Sequence, residues 1–299
     1  MTKQSIAKLF VLAAGIAAVP SLSLAGTAAK EAKTIVEKVK ESCITGDIGV
    51  AVVSEYVSRG VVNENQGFIA QPYLDLYFKL YEGDGFLNKV SLGLGLWSSI
   101  NSHHTAATPG TSLPAWYEFD WTPSLAFTFA KNFTFTTTWY DFDFVSSGGR
   151  AAGLGGTLAY NDTDLLGAFA LHPHVTVIKC MIGNFVGVPG GELGWYYEAG
   201  IAPGFTIGEG STYPVSVSIP LTVGLGNETY AGDDYGFFSA GITASVPLAF
   251  IPSCYGNWTL SAGFTYWNLG DNAAAASAPA INDGDENQFV FSGAIGLTF

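Results

Sequence analysis

Glu118 and Asp120 stand two apart in a run, Ala115 to Ala130, where polar and apolar residues alternate. Tyr117, Phe119, Trp121, Leu125, Phe127 and Phe129 take one parity; Glu118, Asp120, Thr122, Ser124, Ala126 and Thr128 take the other. The same spacing sets Asp75 and Lys79 against Leu74, Leu76, Phe78 and Leu80, and places Lys89, Glu198 and Glu55 opposite apolar rows. Asp141 and Asp143 alternate with Tyr140, Phe142 and Phe144, His172 and His174 flank Pro173, and Arg59 follows Glu55 by four. These residue types open three chemistries. Carboxylates gathered on one low-dielectric wall concentrate cations and repel anions. Two close histidines could share a metal, or one could serve a serine nucleophile as its base. No Ser-His-acid spacing stands out, and the acidic run Asn282 to Glu286 lacks the ligand spacing of a calcium loop. The expectation is therefore no enzyme, no cofactor and no metal, with the acids serving as pore lining.

Strands must position such a set, because only period two sends alternate side chains to opposite faces. Twelve segments carry the alternation: 47–57, 68–80, 88–98, 115–130, 133–144, 152–161, 168–182, 192–207, 212–226, 235–248, 257–269 and 287–299. The fifth changes phase between Phe133–Phe135 and Tyr140–Phe144, which a bulge near Thr137 would explain. The ninth shows one unbroken apolar row from Tyr213 to Leu225. In the last, Phe289, Phe291, Ile295, Leu297 and Phe299 share a parity.

Composition says what the apolar rows face. The chain is 48% hydrophobic and 12% charged, about half the charge of an ordinary soluble domain. No apolar run after the N-terminal region approaches the roughly 18 residues a transmembrane helix needs, so a membrane protein of this sequence is a barrel. The net charge of −13 argues against a nucleic-acid partner. Connections between the segments are long at odd positions and mostly short at even ones, the pattern of an outer-membrane barrel with both termini in the periplasm. Tyr117, Trp121, Trp195, Tyr197, Tyr213, Trp258 and Tyr266 fall near strand ends on the apolar parity, where interfacial aromatic girdles lie.

The first residues read differently. Lys3 and Lys8, the apolar run Leu9 to Val19, and Ser23-Leu24-Ala25 have the layout of a signal peptide, residues 1–25. Residues 26–46 hold a lysine- and glutamate-rich helical segment with a narrow stripe of Ile35, Val36 and Val39, expected in the periplasm. The barrel domain is expected over 47–299. Six of the 12 basic residues precede it, with only three of the 25 acids.

The run Ser54-Glu55-Tyr56-Val57-Ser58-Arg59-Gly60, followed by Gln66-Gly67 and Gln71-Pro72, resembles the TorF-type outer-membrane proteins. Val246-Pro247-Leu248 and Tyr255 to Leu260 are similar to outer-membrane barrels of this size, and the terminal aromatic strand resembles their assembly signal. The resemblance implies a bacterial outer-membrane barrel delivered by the barrel-assembly machinery, and no catalytic residue. The expected function is porin-like passage of small neutral or cationic solutes, with outer-membrane lipid around the barrel. The expected lining is Glu55, Arg59, Asp75, Lys79, Glu118, Asp120, Asp141, Asp143, His172, His174 and Glu198, with Asp75, Glu118 or Asp120 as partner for Arg59. A structural or surface-interaction barrel without transport, or an interface hydrolase, are the alternatives. Cys43 and Cys254 both fall at the periplasmic end, where they are either free thiols or a bridge tying the helix across the opening. Cys180, inside a strand, is expected to be alone.

Overall fold

Successive alternating strands pair with their sequence neighbours, and the last returns to the first. In the computed structural model, which describes residues 42–104, 115–277 and 282–299, β1 (Ile44–Val53) begins at Ile44 rather than Asp47. A small hairpin, β2 (Tyr56–Ser58) and β3 (Val61–Glu64), follows it. Then come β4 (Ile69–Glu82), β5 (Leu87–Asn101), β6 (Trp116–Phe129), β7 (Phe133–Phe144), β8 (Gly149–Tyr160) and, after the one-turn helix α1 (Thr163–Leu166), β9 (His174–Ile182). The remainder is β10 (Trp195–Ile201), β11 (Gly204–Ile207), β12 (Val215–Ser218), β13 (Leu221–Gly226), β14 (Tyr235–Pro247), β15 (Asn257–Leu269), helix α2 (Asp271–Ser277) and β16 (Asn287–Thr298). β1 pairs with β16 from Asp47↔Thr298 to Val53↔Ser292, closing a 12-strand antiparallel barrel.

β10 with β11, and β12 with β13, are each one barrel strand interrupted at a proline. Tyr196↔Gly226 through Ile201↔Leu221 continue in the same register as Gly204↔Ser218 through Ile207↔Val215. Pro203 and Pro220 cannot donate to the ladder, yet their carbonyls still accept from Ile219 and Gly241, each at 2.8 Å.

The alternation sorts the wall as expected over most of its length. Leu92, Leu154, Ile242, Phe289 and Phe291 face outward and are exposed. Ser91, Thr136, Thr157, Thr176, Thr222, Ser239 and Ser245 face inward and are buried. A slip of one residue anywhere would exchange these faces, so the pattern fixes the register.

Three expectations about the strands are corrected. β7 has no bulge; it pairs with β8 in one register from Phe133↔Tyr160 to Phe144↔Gly149. Its aromatic residues change face because Tyr140 and Phe142 turn into a packed interior. The bulge lies in β6, where the register against β5 shifts between Ser99↔Glu118 and Ile100↔Trp116. This turns Tyr117 off the outer row and into contact with Tyr56 and His104, at ring distances of 6.0 and 5.8 Å. Finally, β9 begins at His174 rather than Ala168, so the connection from Asn161 to Pro173 is long although it lies at the end of the barrel where the termini are. The Asp162 carboxylate gathers it by accepting the backbone N–H of Leu171 (2.9 Å) and of His172 (2.9 Å). The third connection at the opposite end, residues 145–148, is a tight turn. The signal-peptide segment and the residues expected as a helix up to residue 41 lie outside the described residues.

Candidate functional site

The interior has two zones. Toward the long-loop end it is filled; toward the end holding the termini it is lined by hydroxyls, carboxylates and small residues.

The filling begins with the sequence Val57-Ser58-Arg59-Gly60-Val61-Val62. β-branched residues flank a two-residue tip, and Arg59 and Gly60 have φ of 49° and 81°, the paired left-handed geometry that a two-residue hairpin turn demands. The hairpin folds into the barrel. Tyr56, Val57, Val61 and Val62 are buried and join Trp97, Tyr140, Phe142, Phe185, Tyr196, Tyr230 and Trp267 in one apolar cluster. Each valine so buried is worth about 1.5–3 kcal/mol. The tip meets the opposite wall closely: a Cβ on Gly60 would lie 2.8 Å from the Gly236 carbonyl oxygen and 3.0 Å from Phe237 Cβ.

Arg59 is 6% exposed. Its guanidinium carbon is 4.4 Å from the Phe142 ring centroid and 4.6 Å from that of Phe185. Such contacts contribute about 2 kcal/mol when desolvated. Its backbone carbonyl accepts from the Tyr230 hydroxyl at 2.9 Å. Around it stand Glu118, Asp120 and Glu198, all buried and all within reach of its charge. Tyr56 donates to Glu118 and Tyr196 to Glu198, both at 2.7 Å. The partner expected for Arg59 is thus a group of carboxylates and two aromatic faces rather than one ion pair. Arg59 Nε and Nη2 and both Asp120 oxygens are buried without a hydrogen-bond partner among the described residues, apart from the Glu118 carboxyl beside Asp120.

Beneath this filling, Asp47 and Asp75 face each other across β1 and β4. Thr298 donates to Asp47 at 2.7 Å. A recess is bounded by Asp75, Tyr77, Thr122, Ser124, Thr136 and Tyr140. Lys79, near the rim, pairs with Glu82 at 2.7 Å. His174 is buried on the inward parity of β9, close over Gly200. Glu55, just before the hairpin, is half-buried.

Other expected lining residues stand elsewhere. Asp141 and Asp143 occupy the β7 parity opposite Tyr140 and Phe142, hence the outer wall. Asp141 accepts from Trp139 Nε1 (2.8 Å) and from Arg150 Nε (2.7 Å) and Nη2 (2.6 Å). Their assignment to the lumen fails because it carried the apolar-outward rule into the half of the barrel where apolar residues fill the interior. His172 lies in the 161–173 connection with its ring 3.7 Å from Asp162, and it is its backbone, not its ring, that meets the buried His174. Cys43, Cys180 and Cys254 are free thiols. No bridge joins Cys43 and Cys254; Cys43 extends the β1–β4 ladder, its carbonyl accepting from Lys79 N–H at 2.8 Å.

The aromatic residues that hold Arg59 escape a sequence reading that sends every aromatic to the outer face. The tip escapes it as well, because Arg-Gly lacks the Asn or Asp that ordinarily marks a two-residue hairpin turn.

No family model matches the chain, and no curated protein matches it. Among solved structures it is similar to an outer membrane channel from Pseudomonas putida F1, with 13% identity over 86% of this chain and 95% of that one at a TM-score of 0.44. It is also similar to the NanC porin (10% identity, 85% and 98% covered, TM-score 0.40) and to outer membrane phospholipase A from Escherichia coli (11%, 85% and 92%, 0.38). At these scores the likenesses carry no argument. The barrel rests on its own strand register.

Proposed function

We propose that this chain is a porin-like barrel of the bacterial outer membrane that admits small neutral or cationic solutes. The observation that carries the reading is the two-faced closed wall. Its outer rows are apolar and exposed, and its lower interior presents Asp47 and Asp75 with threonine and serine hydroxyls. A closed sheet leaves no unpaired edge in lipid, and an acid-lined interior favours cations. In this reading residues 1–25 are a signal peptide, 26–46 a periplasmic segment and 47–299 the mature barrel. The termini face the periplasm, and the barrel-assembly machinery inserts the chain. The resemblance of the Ser54–Gly60 run to TorF-type proteins supports the same placement.

Planar-bilayer recording under a potassium chloride gradient tests it. The barrel lacking residues 56–64, which removes the hairpin from the filled end, is expected to conduct with cation preference. That preference should fall in the Asp47→Asn, Asp75→Asn double variant. Anion preference, or no current through the cleared barrel, sinks the pore reading.

A further inference from the structure

We propose that the Tyr56–Glu64 hairpin is a displaceable plug, latched into the barrel mouth by Arg59 and Tyr56. Its consequence, control of passage, rests on the pore reading; its structural basis does not.

β2 and β3 pair only with each other, in a two-stranded sheet separate from the barrel. Beyond that pairing, side chains of the barrel and helix α2 seat the hairpin. Tyr56 donates to Glu118, Tyr230 donates to the Arg59 carbonyl, the guanidinium lies between Phe142 and Phe185, and three valines fill the space between. Against these attachments stands the polar cost of the seated state. Among the described residues the guanidinium donates from Nη1 to the Ser58 hydroxyl at 3.1 Å while Nε and Nη2 reach no acceptor, and no donor reaches either Asp120 oxygen apart from the neighbouring Glu118 carboxyl. Buried groups in this condition are costly, and water would satisfy them once the tip withdrew. Apolar packing favours the seat and incomplete hydrogen bonding opposes it, and a two-stranded element outside the barrel ladder opens at lower cost than the wall unfolds.

The chain on either side provides fixed pivots. Ser54 N–H bonds to the Phe291 carbonyl at 2.9 Å, and Phe68 N–H to the Ser102 hydroxyl at 2.8 Å. Between those points and the hairpin lie Glu55 and the stretch Asn65 to Gly67, outside any ladder, with Gly67 at φ 73°. A few element-terminal residues of this kind are sufficient to absorb a hinge rotation.

Cys180 reports the motion. It is 1% exposed, packs in the same cluster as the hairpin, and lies within reach of the Arg59 charge. Cys43 and Cys254, both exposed, are replaced by serine, and the full-length protein in vesicles is treated with a membrane-impermeant thiol reagent. Slow labelling of Cys180 is expected in the otherwise wild-type barrel. Labelling is expected to be faster by roughly tenfold or more in Arg59→Ala, and faster in the milder Tyr56→Phe. Unchanged SDS-resistant migration shows in each case that the wall is intact. Equal rates in all three proteins, or no labelling in any of them, overturns the plug. Conductance separates the two readings: Cys180 labelling as expected, with no current through the barrel lacking residues 56–64, refutes passage and leaves the plug standing.

Discussion

Arg59 combines three features that rarely coincide: a left-handed backbone, a buried guanidinium and no single carboxylate partner. Left-handed backbone geometry on a residue with a long side chain persists only where the surroundings over-determine it. Here the hairpin tip requires it, and the two phenylalanine faces accept the flat cation. Lysine keeps the charge but not the plane, so it cannot lie between two rings in the same way. Arg59→Lys is expected to lower the stability of the barrel by about 1–2 kcal/mol, read as a shift in the urea midpoint of the protein refolded in vesicles. A loss no larger for Arg59→Ala would confirm that stacking rather than charge holds the tip. Full retention of stability in Arg59→Lys would put the charge first.

At the scale of elements, the connection between β8 and β9 shows how one carboxylate shapes a segment. Burial raises the Asp162 carboxyl, but the backbone amides of Leu171 and His172 outweigh it and hold the group below its ordinary value. A depressed carboxyl contributes stability that is present above the unfolded value and is lost as the pH falls through the folded one. Asp162→Asn, uncharged throughout, should therefore be less stable than wild type by about 1 kcal/mol at neutral pH. That gap should close below the ordinary carboxylate range, as unfolding midpoints measured across pH would show. The strands themselves were legible in the sequence, from the alternation of β4 to that of β16, because one side of each faces apolar surroundings and the other does not. Legibility failed where that rule inverts. Phe142 reads as an outward residue and Asp141 as an inward one until the hairpin is known to fill the mouth. Tyr117 reads as part of the outer row because nothing in the run Trp116 to Phe129 marks the bulge. Of the candidate site, Arg59, Glu118, Asp120 and Glu198 were readable by parity. Phe185 and Tyr230 were not, since both arrive from connections whose paths a sequence does not fix.

Across the whole molecule, the outer wall carries its charge in one band. Asp141, Asp143, Arg150 and Lys179 share it, all near the long-loop ends of their strands, with Lys179 5.4 Å from the Trp195 ring. Farther toward the termini, outward positions such as Leu92, Leu158, Ile242 and Leu260 are apolar and exposed. If lipid covers that belt, the cost of an introduced charge must depend on height and on face. Ile242→Lys, outward and away from the charged band, is expected to cost about 2–4 kcal/mol, as for a lysine near the middle of a bilayer. Leu154→Lys should cost clearly less, because it lies outward beside Lys179 and the aqueous margin. Thr243→Lys, next to Ile242 but inward, keeps its charge in the lumen and should fall between them or below. Unfolding free energies in vesicles measure all three. The ordering distinguishes a lipid-covered belt from an apolar surface in water. In water, each outward substitution would be nearly neutral, because an exposed lysine there replaces only solvent contact.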